Sequence, residues 1–248
     1  MTRPSPHIVP RRVGILGGMG PAATVDLMAK VIAATPARHD QDHVPLIVWN
    51  VPQVPPRVAA LRGEGPSPLP AMLEGARFLE QAGATALAIA CNTAHHWARE
   101  LSAGVSIPLL HIADAALEAL ARLQPPARRV ALLGTRGTLE SGFYRERLQA
   151  RGIACLEAGE AQQAAVDRAI AAVKRGALQE ACAEFDPVAR RMLEAGADAL
   201  LLACTELPLV PCDAEVARRC VDPTAALARS IVRHALGSPC DAPAPQVS

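Results

Sequence analysis

The segment AGATALAIACNT over 82–93 returns 113 residues later (82 to 195) as AGADALLLACTE over 195–206. Each copy reads as a helix end, a glycine turn, a buried strand, an alanine, a cysteine and the polar start of a helix. A second correspondence sets VGILGGMGP from Val13 beside VALLGTRGT from Val130, an offset of 117 (13 to 130), and both read as a strand running into a Gly-rich turn. Offsets that agree to within four residues imply two half-chains of one plan, each with a Gly-rich strand end and a cysteine strand end. The expected fold class is α/β, with two similar parallel-sheet domains related by pseudo-twofold symmetry. Ligands of open parallel sheets bind outside the carboxyl ends of the strands. The active site is therefore expected in the cleft between the domains, with Cys91 and Cys204 both facing it.

Short apolar runs that end in Gly, Asn, Cys or Thr alternate with longer segments of helical period, the pattern of parallel βαβ units. Strands are expected over 13–17, 46–50, 85–90, 108–110, 130–134, 153–156, 199–203 and 220–221. Helices are expected over 21–34, 69–82, 92–101, 113–123, 139–150, 162–173, 178–195 and 224–236. The first domain is expected over 10–110, joined by a C-terminal helix at 221–236, and the second over 111–220. A loose tail should occupy 237–248. The Pro-rich stretch 52–70 is too long for a tight turn and reads as a lid or binding loop.

Partners are narrowed by charge and composition. A formal net charge of +1 and an aromatic content of 2% argue against a basic nucleic-acid surface or a base-stacking platform. The longest apolar stretch, 82–90, is too short to span a bilayer, and the opening MTRPSPHIVPRR has no apolar signal-peptide core. The expectation is a cytoplasmic chain with no membrane partner and a small-molecule ligand. Seven cysteines without a secretory signal read as free thiols.

A cysteine between a buried strand and a helix start sits where unpaired backbone N–H groups and the helix dipole favour a thiolate. Cys91 and Cys204 both fit, whereas Cys155, Cys182, Cys212, Cys220 and Cys240 read as structural or incidental. Racemisation at a carbon acid needs a base on one face and an acid on the other, and two opposed thiols with coupled titration meet that need. Such a site must also neutralise the substrate carboxylate and stabilise a carbanion with fixed donors. Arg57, Lys174 and the Gly-rich turns 17–20 and 134–138 are the available groups, since helix N-termini hold carboxylates as they hold phosphates.

Several of these residues have plainer readings. Lys174 fits a solvated lysine in a helix's last turn, with Gly176 as the stop signal, and Arg57 an ordinary loop arginine. Asn92, Thr93 and Thr205 fit helix caps. Glu206 fits a first-turn acid, where it could also tune the protonation of Cys204. His95 and His96 could begin a zinc site but lack a second ligand pair, and His39 and His43 read as surface residues.

The same residues resemble the PLP-independent aspartate/glutamate racemase family, most closely its aspartate racemase branch. The similar segments are GILGGMGPAAT from Gly14, NVPQVPPR from Asn50, ACNTAH from Ala90, LLGTRGT from Leu132, AIAAVKRG from Ala169 and ACTELPL from Ala203. The resemblance implies a homodimeric enzyme of two α/β domains that uses neither metal nor pyridoxal phosphate and acts on aspartate or a related acidic amino acid. By position, Cys91 and Cys204 are then the catalytic pair, and Arg57 and Lys174 engage substrate carboxylates. Met19, Gln53, Asn92, Thr93, Thr138 and Thr205 line the substrate pocket. In one branch the first cysteine is threonine, so Cys91 implies the two-way form. The loop that reads Pro-Asp-Arg in the family is Pro55-Pro56-Arg57 here, which removes a carboxylate and stiffens the approach to Arg57. LLHIADA from Leu109 resembles the broader aspartate/glutamate branch.

Three alternatives remain at this level. Gly18-Met19-Gly20-Pro21-Ala22-Ala23 satisfies a loose dinucleotide-binding pattern, but the second strand ends at Asn50 rather than at the acid that would hold a ribose. A maleate-type isomerase or a decarboxylase would share the fold logic, although both cysteines are kept here. A ligand-sensing relative without turnover is the non-enzymatic alternative.

Overall fold

A computed structural model describes residues 11–237. The tail beyond Gly237, Cys240 and residue 10 lie outside the described residues. The first half runs β1 (Val13–Gly17), α1 (Pro21–Ala34), β2 (Leu46–Asn50), α2 (Arg57–Leu61), α3 (Leu69–Gln81), β3 (Ala86–Ile89), α4 (Ala98–Gly104), β4 (Leu109–Leu110) and α5 (Ile112–Ala121). The second half runs β5 (Arg129–Gly134), α6 (Arg136–Glu140), α7 (Phe143–Ala150), β6 (Ala154–Glu157), α8 (Glu160–Lys174), α9 (Leu178–Glu194), β7 (Ala199–Ala203), α10 (Ala214–Ala217), β8 (Cys220–Val221) and α11 (Pro223–Leu236).

The strands form two four-stranded parallel sheets, ordered β2-β1-β3-β4 and β6-β5-β7-β8. The order is the same in both, and so is the register: Val13 pairs with Ala86 as Val130 pairs with Ala199. The repeat in the sequence is thus a repeat of sheet positions. β1 and β3 in one sheet, and β5 and β7 in the other, are the inner strands. Their apolar runs are buried because helices cover both faces of a parallel sheet.

Four cores follow from this layering. α1 and α11 cover one face of the first sheet, with Leu27, Val31, Leu227 and Ile231 against Val13, Ile15 and Ala88. α3 covers the other face, where Met72, Ala76 and Leu79 meet Leu16, Leu87 and Ile89. α8 and α9 cover one face of the second sheet through Val166, Ile170, Phe185 and Val188. α5 and α7 cover its other face, with Leu117, Leu120, Tyr144 and Leu148 packed on Val130, Leu132 and Leu201. α11 returns to the first sheet because its start is well specified. Asp222 accepts from the backbone N–H groups of Thr224 and Ala225 at 2.7 and 3.1 Å, and Pro223 occupies the first turn.

Two expected helices are interrupted. The segment after Cys91 opens as a 3-10 turn, Thr93–Trp97, before α4 begins. The helix expected over 139–150 breaks at Gly142, whose φ of 75° lies in the left-handed region that glycine tolerates, leaving α6 and α7. The Pro-rich stretch is not wholly loop, since it contains α2. Among the described residues no helix is long and apolar enough to cross a membrane.

Candidate active site

Cys91 and Cys204 follow β3 and β7, the corresponding inner strands of the two sheets, and are 5% and 4% exposed. Both border one cavity of about 210 Å³. The first half contributes Met19 from the turn after β1, Pro56, Arg57 and Val58 from the Pro-rich segment, and Asn92 and Thr93. Thr135 after β5, Lys174 at the end of α8, and Thr205 and Glu206 close it from the second half. Drug-sized ligands occupy roughly 300–1,000 Å³, so this space suits a small metabolite rather than a dinucleotide. The turn that shapes the wall needs glycine: Gly18 has φ 91°, and a Cβ there would lie 2.4 Å from the Val51 backbone.

The electrostatics correct one expectation. A single 3-10 turn, Leu207–Leu209, follows the Cys204 segment, and another follows Cys91, so neither thiol faces the aligned dipoles of a long helix. Cys204 Sγ instead donates to Glu206 Oε2 at 3.0 Å, and Thr205 Oγ1 donates to the same oxygen at 3.2 Å. Burial first, then the charge of Glu206, pushes the Cys204 thiol well above its usual range, while the Glu206 backbone N–H and Lys174 pull weakly the other way. Cys204 is therefore held in its protonated form. Lys174 Nζ stands 4.0 Å from Glu206 Oε1.

The main chain at Cys91 is held by His95. Nδ1 donates to the Cys91 carbonyl at 2.8 Å and Nε2 accepts from Ile112 N–H at 3.2 Å, which fixes the neutral tautomer. Burial, with His111 next, lowers the pKa of His95 well below the ordinary histidine range. Its ring nitrogens are thus both engaged by backbone. Among the described residues no three His, Cys, Asp or Glu side chains gather as metal ligands.

Eight of the ten site residues expected from sequence border the cavity: Met19, Arg57, Cys91, Asn92, Thr93, Lys174, Cys204 and Thr205. Gln53 is exposed and does not border it. Thr138 is buried behind the wall, where its hydroxyl lies 3.0 Å from Thr93 Oγ1 and 2.9 Å from Thr135 Oγ1. Arg57 spends its terminal donors on backbone, with Nη1 on the Val54 and Pro55 carbonyls at 3.2 and 3.1 Å and Nη2 on Met19 O at 2.8 Å. That pins the Pro-rich segment to the Gly-rich turn and leaves buried Nε without a partner. Sequence reasoning included Thr135 only as part of the turn 134–138 and missed Tyr144. Thr135 lies within the LLGTRGT motif, and Tyr144 is the chain's one tyrosine; its buried hydroxyl donates to Asn92 Oδ1 at 2.6 Å.

Known proteins resemble this chain in sequence and fold. The family model described as Asp/Glu/hydantoin racemase matches residues 16–231. A broad-specificity amino-acid racemase of Bacillus subtilis is 30% identical over 224 residues, 89% of this chain and 96% of that protein. The solved structure of Picrophilus torridus aspartate racemase superposes with a TM-score of 0.82 at 33% identity, covering 91% of this chain and 94% of that one. An aspartate racemase homologue from Pyrococcus horikoshii, 24% identical with a TM-score of 0.72 over 91% and 99% of the two chains, shares the fold. The chain belongs to the Asp/Glu/hydantoin racemase family and is an amino-acid racemase of the pyridoxal-phosphate-independent class.

Proposed function

We propose that the chain racemises an acidic amino acid, aspartate first and glutamate second, by exchanging its α-proton between Cys91 and Cys204. The observation that carries this reading is the placement of the two thiols at corresponding strand ends of two sheets, on one small cavity. In one direction Cys91 takes the α-proton as base while the protonated Cys204 delivers its own to the opposite face of the carbanion. The reverse direction exchanges the roles. Arg57 Nε and Asn92 Nδ2, buried donors without partners, together with Lys174, are the groups offered to substrate carboxylates. The similarity to an aspartate racemase supports the choice of aspartate.

A wider substrate range has two observations in its favour. Pro56 and Val58 place apolar surface on the cavity wall, and a relative similar to this chain is a broad-specificity racemase. The test is chiral chromatography of the purified protein with each common L-amino acid, without added cofactor. Fastest conversion of aspartate supports the proposal; faster conversion of neutral or basic amino acids replaces it with the wider reading, and no conversion of any amino acid rejects both.

The proposed enzyme is a cytoplasmic homodimer. The outer face of α1 supports self-association: Val25 is 62% and Ile32 56% exposed, with Ala22, Ala29 and Ala33 beside them. Contiguous apolar surface of this kind marks interaction sites. Sedimentation equilibrium of the wild type and of Val25→Glu/Ile32→Glu decides it; a monomeric wild type removes the dimer.

A further inference from the structure

We infer that Tyr144 is a positioning residue for the substrate: its hydroxyl orients the Asn92 amide so that Nδ2 faces the cavity as a donor for a substrate carboxylate oxygen. The inference rests on reading the cavity as the amino-acid site. Asn92 borders the cavity directly after Cys91 and is 2% exposed, and Tyr144 is fully buried. A carboxamide has one acceptor oxygen and a two-proton donor nitrogen. Here Oδ1 receives the Tyr144 hydroxyl at 2.6 Å, whereas buried Nδ2 has no partner.

The phenol proton selects between the two amide orientations. Flipped, the amide nitrogen would donate to the Tyr144 oxygen, leaving the phenol proton without the acceptor it now has and turning Oδ1 toward the cavity. The fully buried phenol has no water to repair that loss, so the orientation with Oδ1 on the phenol is favoured. Burial raises the pKa of Tyr144 well above the ordinary tyrosine range, so it stays a donor across the working pH range. A buried unpartnered N–H normally finds an acceptor, and an anionic oxygen entering the cavity supplies one. The oxygen so held brings the adjoining α-carbon beside Cys91.

The bond also joins the two halves. Tyr144 is on α7, which packs on the second sheet, and Asn92 follows β3 of the first. Its tilted stacking with Phe143, ring centroids 4.9 Å apart, is kept by phenylalanine, so Tyr144→Phe removes the hydroxyl alone.

The test combines kinetics on L-aspartate with calorimetric binding of succinate, a dicarboxylate without an α-amino group. Tyr144→Phe is expected to raise KM about tenfold and weaken succinate binding by a similar factor, with kcat changed far less, because the lost contact acts equally in ground and transition states. In an Asn92→Ala background, Tyr144→Phe should have no further effect on succinate affinity, which is coupling that a general packing role would not produce. KM and succinate affinity within twofold of wild type, or additive effects of the two substitutions, would overturn the inference. A wild type that binds succinate but turns over no amino acid removes the proposed function and leaves this assignment standing on the binding data. A wild type that racemises while Tyr144→Phe is unaltered removes this assignment alone.

Discussion

Glu206→Gln keeps the size of the side chain beside Cys204 and deletes its charge. Cys204 Sγ lies 3.0 Å from the Glu206 carboxylate, whose charge opposes ionisation of the thiol. Two unit charges 4 Å apart interact by about 4 kcal/mol at an effective dielectric constant near 20. Lys174, 4.0 Å from the same carboxylate, offsets part of it, so removing the Glu206 charge should lower the Cys204 pKa. The pH profile of kcat/KM should then move to lower pH in whichever direction Cys204 supplies the proton, as an apparent value of the coupled pair. The rate of Cys204 alkylation by iodoacetamide, read by peptide mapping across pH, should move in parallel. The stability sign follows from linkage: a thiol raised on folding contributes fully below the usual thiol range and loses that contribution as pH rises. Glu206→Gln should therefore lessen alkaline destabilisation. Profiles and alkylation rates within about 0.3 unit of wild type would refute the claim that the Glu206 charge sets the protonation of Cys204.

Lys174→Met should do the opposite, leaving the Glu206 charge less compensated; the alkaline limb should move to higher pH, and a shift to lower pH would contradict the assignment. His111, whose pKa is held down to about 4 by burial and then by Arg147, makes acid destabilising. The unfolded chain binds a proton below the ordinary histidine value while the folded one does not, so stability should fall between about pH 6.5 and 4 by roughly 3 kcal/mol. His111 Nδ1 also accepts from Ala113 N–H at the start of α5. His111→Asn, which can keep that cap, should flatten the urea-unfolding profile over this range. Gly18→Ala should destabilise by about 2 kcal/mol or more, because the new Cβ meets backbone in a left-handed conformation; an unfolding midpoint equal to wild type would show that the turn yields.

Much of the fold was legible because burial on both faces of a parallel sheet leaves near-continuous apolar runs, and ALAI and ALLLA are such runs. The interruptions were less so. Gly142 breaks a helix that apolar period alone would continue, and the 3-10 turn after Cys91 is tied down by a long-range bond from Ile112 N–H to His95 Nε2. The cysteine pair followed from the repeat itself. Lys174 and Arg57 border the cavity, a placement that neither a helix's last turn nor a Pro-rich loop encodes locally. Gln53 and Thr138, expected from the family resemblance, stand off the cavity wall, one exposed and one behind Thr93. Tyr144 acts on a residue 52 positions away across two sheets, a relation that no local pattern encodes. The protonation of Cys204 depended on where Glu206 turns after the strand, and the helix-dipole argument pointed the other way.

The most direct test of the two-thiol mechanism follows L-aspartate in heavy water at low conversion, with separate isotope analysis of the two enantiomers. Two opposed monoprotic thiols predict D-aspartate that carries deuterium at the α-carbon while the remaining L-aspartate keeps its proton, and no D-aspartate from Cys91→Ser or Cys204→Ser. Product that retains the original proton, or undiminished racemisation by either variant, would mean that one group serves both faces and would contradict the account.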